Sequence, residues 1–400
     1  MISAAIYGCE GPVLGEEERR FFRDVRPWGF ILFRRNVETP DQVRALTAAL
    51  RDAVGRADAP ILIDQEGGRV QRLRPPHWPA YPPGAAYLKA TNDPLEAREL
   101  ARVGARLIAH DLTALGFTAD CLPVLDTPVS GAHDIIGDRA YAHDPATVAQ
   151  LGRAAAEGLL AGGVLPVIKH MPGHGRATAD SHHALPVVSE PLKTLDAWDF
   201  APFRALSDMP LAMTAHVVFE AIDKKRPATT SRKALRLMRD EVAKGGLGFG
   251  GLIITDDLSM NALSGSLRER AEASLRAGCD VVLHCNGNLN EMRAVAEGVG
   301  RLRGAAATRA EAALARVPAM PEPLDEAGAR ARFEARLAGR MAAAAGPAAG
   351  EAGARTSRPT WASTPWTRRP TTRPSWSTST AMKGRCMCCW PWPAPRRSTC

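Results

Sequence analysis

The sequence predicts a (β/α)8 barrel, and three observations carry that expectation. Eight short apolar or β-branched runs recur along the first 285 residues: Ser3–Tyr7, Gly29–Phe33, Pro60–Asp64, Phe117–Cys121, Leu165–Lys169, Leu211–Ala215, Leu252–Thr255 and Asp280–Cys285. Amphipathic segments rich in Ala, Leu and Arg separate most of them, as crossover helices between parallel strands would. Neither a G-x-G-x-x-G turn after a strand nor a G-x-x-x-x-G-K-[ST] loop occurs, which counts against an open, doubly wound nucleotide-binding sheet. Gly245-Gly246-Leu247-Gly248 precedes a strand and is in the wrong order for a dinucleotide loop.

The helices announce themselves by their starts. Thr39-Pro40, Asp93-Pro94 and Asp144-Pro145 each place a capping oxygen before a proline at the first helical position. The cap satisfies a free N–H, and the proline has no N–H to leave unpaired. Ser231 opens a further helix over Lys233–Lys244, which Gly245 and Gly246 end. Residues 304–345 read as one or two closing helices.

Composition bounds the rest. With 400 residues, 45% apolar and 24% charged, the chain can bury a sizeable core. No apolar run reaches the roughly 20 residues of a spanning helix. The net charge of +8 is unevenly placed, because residues 352–400 hold nine Lys and Arg and no acid. The remainder is close to neutral, so no nucleic-acid or membrane partner is expected. The same stretch holds five of the eight Trp and four of the eight Cys. We expect a catalytic domain over 1–345 and a basic, low-complexity tail over 346–400. The tail reads either as a disordered interaction arm or as a frame-error product of GC-rich DNA. Its tryptophan content favours the second reading. Sequencing the gene across codons 340–400 decides it, and an unbroken, reproducible frame would sink the frame-error reading. Cys9, Cys121, Cys279 and Cys285 are scattered in apolar contexts, as reduced thiols would be. With no basic leader and no apolar run ahead of Cys9, a cytoplasmic location is expected.

In a parallel barrel the chemistry sits just beyond the C-terminal strand ends. One strand leaves as Asp64-Gln65-Glu66-Gly67-Gly68-Arg69-Val70, where Asp64 is either a turn acid or a grip on a polar ligand. Gly137-Asp138-Arg139 offers a cation to an anionic or hydroxyl-rich ligand. Another strand runs into Lys169-His170-Met171-Pro172-Gly173-His174-Gly175 and then Asp180-Ser181-His182-His183. Four of the ten histidines fall in this Pro- and Gly-containing loop, and long loops in compact domains tend to be functional. Asp180 is close enough in sequence to set the tautomer and raise the basicity of His182. Zinc ligation by His170, His174, Asp180 and His182 is the competing reading, but no H-E-x-x-H pair supports it. A third strand ends in Thr255-Asp256-Asp257-Leu258-Ser259-Met260, where one acid can face the mouth while the other braces the turn. His216, alone after its strand, reads as a satisfied core residue.

These segments, in this order, resemble the glycoside hydrolase family 3 β-N-acetylhexosaminidases, the single-domain bacterial type of cell-wall recycling. The likeness runs from about residue 3 to about residue 340. Met171 stands where Phe is usual, Thr255 where Ser is common, and Ala140-Tyr141 where Ser-Phe is usual. None of these exchanges removes a group the reaction needs. The resemblance implies a retaining mechanism with Asp256 as nucleophile, His182 as general acid/base and Asp180 orienting it. It implies that Asp64, Arg139, Lys169 and His170 bind the hydroxyls of a terminal N-acetylglucosamine, on a muropeptide or another N-acetylglucosaminide. It calls for no metal and no cofactor, and a monomer is expected. A β-glucosidase or a phosphorylase of the same fold is the runner-up, and a non-catalytic sugar-binding module comes last.

Overall fold

All eight expected runs become strands of one closed parallel barrel in the computed structural model, which describes residues 1–177, 180–181 and 184–344. The strands are β1 (Ser3–Tyr7), β2 (Pro27–Leu32), β3 (Ile61–Ile63), β4 (Ala119–Asp120), β5 (Leu165–Met171), β6 (Leu211–Thr214), β7 (Leu252–Asp257) and β8 (Val281–His284). Each pairs with its sequence neighbours, and β8 closes on β1 through Ala5 opposite Val282. β4 is only two residues long, and β5 and β7 each run two residues beyond the expected end. Both longer strands carry register shifts near their C-terminal ends, between Ile168 and Met171 and between Ile254 and Asp257. Such irregularities re-aim side chains, and here they lie at the barrel mouth.

Alternation along each strand divides the core. Ile6, Ile31, Leu62, Val167, Ile254 and Leu283 belong to one buried cluster. Neighbours such as Tyr7, Phe30, Ile63 and Ile253 pack in other clusters together with residues of the helices. With both faces buried, the strands read as continuous apolar runs. Each fully buried Leu, Ile or Phe contributes about 1.5–3 kcal/mol.

The helix starts fall where the caps put them. Thr39 accepts from Gln42 N–H, Asp93 from Leu95, Asp144 from Thr147 and Ser231 from Ala234, ahead of helices Pro40–Val54, Pro94–Thr113, Pro145–Ala161 and Arg232–Arg239. The last of these is shorter than its sequence suggests. Asp240 turns extended, and Leu247 and Phe249 return to donate to the carbonyls of Leu237 and Met238, satisfying the helix end. A 3-10 turn over Val242–Lys244 then precedes Gly245, whose φ is 83°.

Residues 304–345 supply two helices, Ala305–Leu314 and Glu326–Ala344. The tail expected over 346–400 lies outside the described residues. Among the described residues no helix is long and apolar enough to cross a membrane.

Candidate active site

The Asp64 motif is shaped by its glycines. Gln65–Gly67 pairs with Val70–Gln71 as a short antiparallel hairpin, and Gly67 and Gly68 turn it with φ of 96° and 56°. A Cβ on Gly67 would sit 2.2 Å from the Pro82 carbonyl oxygen, so only glycine fits there. The hairpin aims Glu66 inward and returns Arg72 over the strand end. Arg72 Nη2 meets Asp64 Oδ2 at 2.9 Å.

Lys169, on β5, is only 2% exposed and reaches two acids from the β3 loop, Asp64 Oδ1 at 3.0 Å and Glu66 Oε1 at 2.6 Å. Arg139, from the loop after β4, binds Glu66 through Nε and Nη2, both at 2.8 Å. Burial by itself would raise the pKa of both acids. For Asp64, Lys169 and Arg72 outweigh it and hold the carboxyl well below its usual range. For Glu66, Lys169 and Arg139 do the same and bring it to about 2. Both acids are therefore ionised at neutral pH. Burial works against the Lys169 charge, but Asp64 and Glu66 outweigh it and raise its pKa. Asp120, fully buried on β4, shows what burial does with less compensation. It is pushed up to about 8, although its Oδ1 accepts from Gln65 N–H at 2.9 Å.

His170 follows Lys169, and its Nδ1 lies 2.7 Å from Asp126 Oδ2. Asp126 Oδ1 also accepts from the backbone N–H groups of His170 and His174, at 3.2 and 2.6 Å. One buried carboxylate thus fixes the turn and the imidazole orientation. His174 is buried, and desolvation lowers its pKa to about 4, so it is neutral. Its Nε2 stands 3.3 Å from Ser181 Oγ.

At the end of β7 the paired acids divide as their alternation suggests. The Asp257 carboxylate accepts from Ser259 N–H, Ser259 Oγ and Cys285 N–H, bracing the turn. Its own N–H donates to Asp256 Oδ1 at 2.8 Å. His216 is a satisfied core residue, with Nδ1 at 2.7 Å from Thr229 Oγ1 and Nε2 at 3.0 Å from the Asp257 carbonyl oxygen.

The structure gathers Asp64, Arg139, Lys169, His170 and Asp256 around one cavity of about 330 Å³ at the C-terminal mouth of the barrel. Asp180 is half-buried and is not among the described residues lining it. Its carbonyl oxygen accepts from Ala184 N–H at 3.0 Å. His182, the expected acid/base, lies outside the described residues. Sequence reading passed over Glu66, Arg72 and Asp126. Glu66 stands inside the Asp64–Val70 motif and Arg72 two residues beyond it, so their nearness to Asp64 is the signal. Asp126 follows the two-residue β4 and carried none.

Gly173 and Gly175 of the β5 loop sit too close to neighbouring backbone for a larger residue. A Cβ on Gly175 would fall 2.2 Å from the Thr127 carbonyl oxygen, and one on Gly173 would fall 3.1 Å from Asp199. They permit close packing at the loop base. Among the described residues no group of three His, Cys, Asp or Glu could hold a metal ion.

Carboxylates and fixed cations alternating around the mouth are placed so that they could grip a hydroxyl-rich ligand from several sides, with Asp256 on the wall. This is the equipment of a barrel enzyme of carbohydrate chemistry.

The family model described as the glycosyl hydrolase family 3 N terminal domain matches residues 15–320, and the chain belongs to that family of glycoside hydrolases. A beta-hexosaminidase of Alkalilimnicola ehrlichii is 40% identical over 290 residues, covering 72% of this chain and 81% of that one. One from Bordetella parapertussis is 41% identical over 281 residues, covering 69% and 78%. Among solved structures, NagZ from Neisseria gonorrhoeae in complex with N-trifluoroacetyl-D-glucosamine superposes with a TM-score of 0.71 at 31% identity, over 85% of this chain and 97% of that one. A family 3 beta-N-acetylglucosaminidase from Paenibacillus sp. str. FPU-7 gives 0.67 at 31% identity, and this chain spans 63% of its length.

Proposed function

We propose that this chain is a retaining exo-β-N-acetylglucosaminidase that removes terminal N-acetylglucosamine from 1,6-anhydromuramyl peptides in peptidoglycan recycling. It would act in the cytoplasm as a monomer. The observation that carries the reading is the convergence of Asp64, Arg139, Lys169 and His170 on the cavity that Asp256 lines. The curated relatives named beta-hexosaminidase support it.

In the first step the Asp256 carboxylate attacks the anomeric carbon. The bond to the leaving oxygen breaks, and that oxygen takes a proton from protonated His182. In the second step water attacks the same carbon. The bond to Asp256 breaks, and neutral His182 takes the water proton. An acid/base with a pKa near neutrality serves both steps, and Asp180 orients the ring. Charge-assisted hydrogen bonds to the sugar hydroxyls, accepted by Asp64 and donated by Arg139 and Lys169, contribute about 1.5–3 kcal/mol each, and His170 adds a further hydrogen bond.

The test is release of chromophore from a β-N-acetylglucosaminide beside the matching β-glucoside, with and without phosphate. Selective turnover of the N-acetyl substrate, lost by at least about 10³-fold (~4 kcal/mol) in a folded Asp256→Ala variant, is expected. Activity within a few-fold of wild type in that variant refutes the nucleophile. A sugar 1-phosphate product would instead identify a phosphorylase.

A further inference from the structure

We propose that a second, basic pocket beside the catalytic cavity binds a small anionic group, a carboxylate or a phosphate. The pocket has a volume of about 640 Å³ and lies between the loop preceding helix Arg232–Arg239 and the segment that runs from β7 into helix Leu267–Ala277. Lys225, Arg226, Arg232, Arg270 and Arg276 line it, and no acid is among its described lining residues. The sequence ahead of the C-terminal tail is close to neutral, so five cations around one concavity are a local concentration and not the background.

The cations differ in how far they are already committed. Arg270 donates to the carbonyls of Leu258, Met260 and Gly265. Arg276 pairs with Glu272 at 3.1 Å across an exposed helix face, an arrangement of small net worth. Arg232 donates to the Arg276 carbonyl oxygen at 3.4 Å. Among the described residues Lys225, Arg226 and Arg232 make no ion pair. The neighbouring acid, Asp223, is occupied by Lys225 N–H at 3.1 Å and Ser231 Oγ at 2.8 Å. Guanidinium forks facing one concavity match the paired oxygens of a carboxylate or phosphate. Buried Pro227, Leu263 and Ala277 also line the pocket and keep part of its wall apolar.

The position gives the pocket its interest. Ser181 lines the catalytic cavity while Leu185 lines this one. Met260 lines the first while Ala262 and Leu263 line the second. The two strips are joined by Ala262 N–H donating to the Ser181 carbonyl oxygen at 3.3 Å. The anion is therefore either the acidic end of the aglycone or a separate small molecule. The pocket stands on its own lining, and only the aglycone alternative rests on the function proposed above.

The test uses the full chain. Citrate and inorganic pyrophosphate are titrated calorimetrically at low ionic strength into wild type and the Arg226→Ala/Arg232→Ala double variant. Binding by wild type, weakened about tenfold or more in the variant, is expected. The uncharged single variants Arg226→Gln and Arg232→Gln, which keep a polar side chain, keep the experiment decisive should the double variant fail to fold. Turnover then separates the sources. A raised KM for a disaccharide bearing an acidic peptide, with KM for the neutral chromogenic substrate unchanged, assigns the anion to the substrate. A citrate effect on neutral-substrate kcat/KM, present in wild type and lost in the variant, assigns it to a separate ligand. Absence of anion binding, or equal affinity in wild type and variants, overturns the proposal. The titration needs no turnover, so its result is independent of whether the hexosaminidase reading survives.

Discussion

Glu66 holds Arg139 through two parallel hydrogen bonds of 2.8 Å, a bidentate pair in which neither side chain is more than 10% exposed. The same carboxylate receives Lys169 Nζ at 2.6 Å. One acid thereby positions two cations, one from the loop after β4 and one from strand β5, and both of those cations line the cavity.

Replacing it by an isostere isolates its charge. Glu66→Gln keeps the volume but leaves Lys169 and Arg139 short of one counter-charge. Breaking a buried pair in this way costs about 3–5 kcal/mol. We expect a lower denaturation midpoint and a fall in kcat/KM of about 10–100-fold, with KM raised because Lys169 and Arg139, the cations proposed above to bind the sugar, lose their place. Unchanged kinetics and stability would show that Asp64 alone suffices.

The same acid makes stability depend on pH. Its folded pKa of about 2 lies below its ordinary value of 4.5. It therefore contributes stability that is fully present above about pH 4.5 and lost as the pH falls toward 2. Asp64, also shifted down, acts in the same direction. Denaturant unfolding of wild type should weaken through that window, and Glu66→Gln should weaken less steeply. Parallel curves for the two proteins would contradict this.

Asp126→Asn tests the orientation of His170. The amide can still accept from the two backbone N–H groups, but it no longer offers a carboxylate oxygen to Nδ1. If His170 binds substrate as proposed, we expect a folded protein with kcat/KM reduced by about 10-fold or more, because a misplaced contact group costs rate. Wild-type activity would mean that packing alone orients the ring.

Gly175→Ala places a methyl 2.2 Å from the Thr127 carbonyl oxygen. The base of the β5 loop must then part from the β4 loop, to which it is tied by Val129 N–H donating to the Gly175 carbonyl oxygen at 3.2 Å. Overpacking of this kind costs about 1–3 kcal/mol. Thermal melts should show the loss, and activity should fall with it. An unchanged melting temperature would show that the loop base yields without cost.

Most of the barrel was legible because parallel strands buried on both faces must be apolar throughout, and helix caps need particular side chains. Strand ends were less so: β5 extends to Met171 and β7 to Asp257 through irregular pairing that no residue pattern announces. The helix after Ser231 looked longer because nothing local reveals that Leu247 and Phe249 fold back onto its end. In the site, Asp64, Lys169, His170 and Asp256 stand out as polar groups at strand ends, and Arg139 as a cation in the loop after β4. The partnership of Glu66 with Arg139, 73 positions apart, is set by the side-by-side pairing of β3 with β4 and could not be read along the chain.

The closing helix Glu326–Ala344 is tied into the fold. Arg330 reaches Tyr81 Oη at 3.1 Å and Asp111 at 3.0 Å, and Phe333 lies against Tyr87 with ring centroids 6.3 Å apart. Tyr81 follows the hairpin that carries Glu66, and Asp111 sits on the helix Pro94–Thr113 that leads toward β4. Natural variation should register this as a threshold in the gene. Stop codons ahead of position 330 would be purged from populations as surely as lesions in the catalytic mouth. Those beyond the Arg336–Glu96 contact, at 2.9 Å, would spare each of these anchoring contacts.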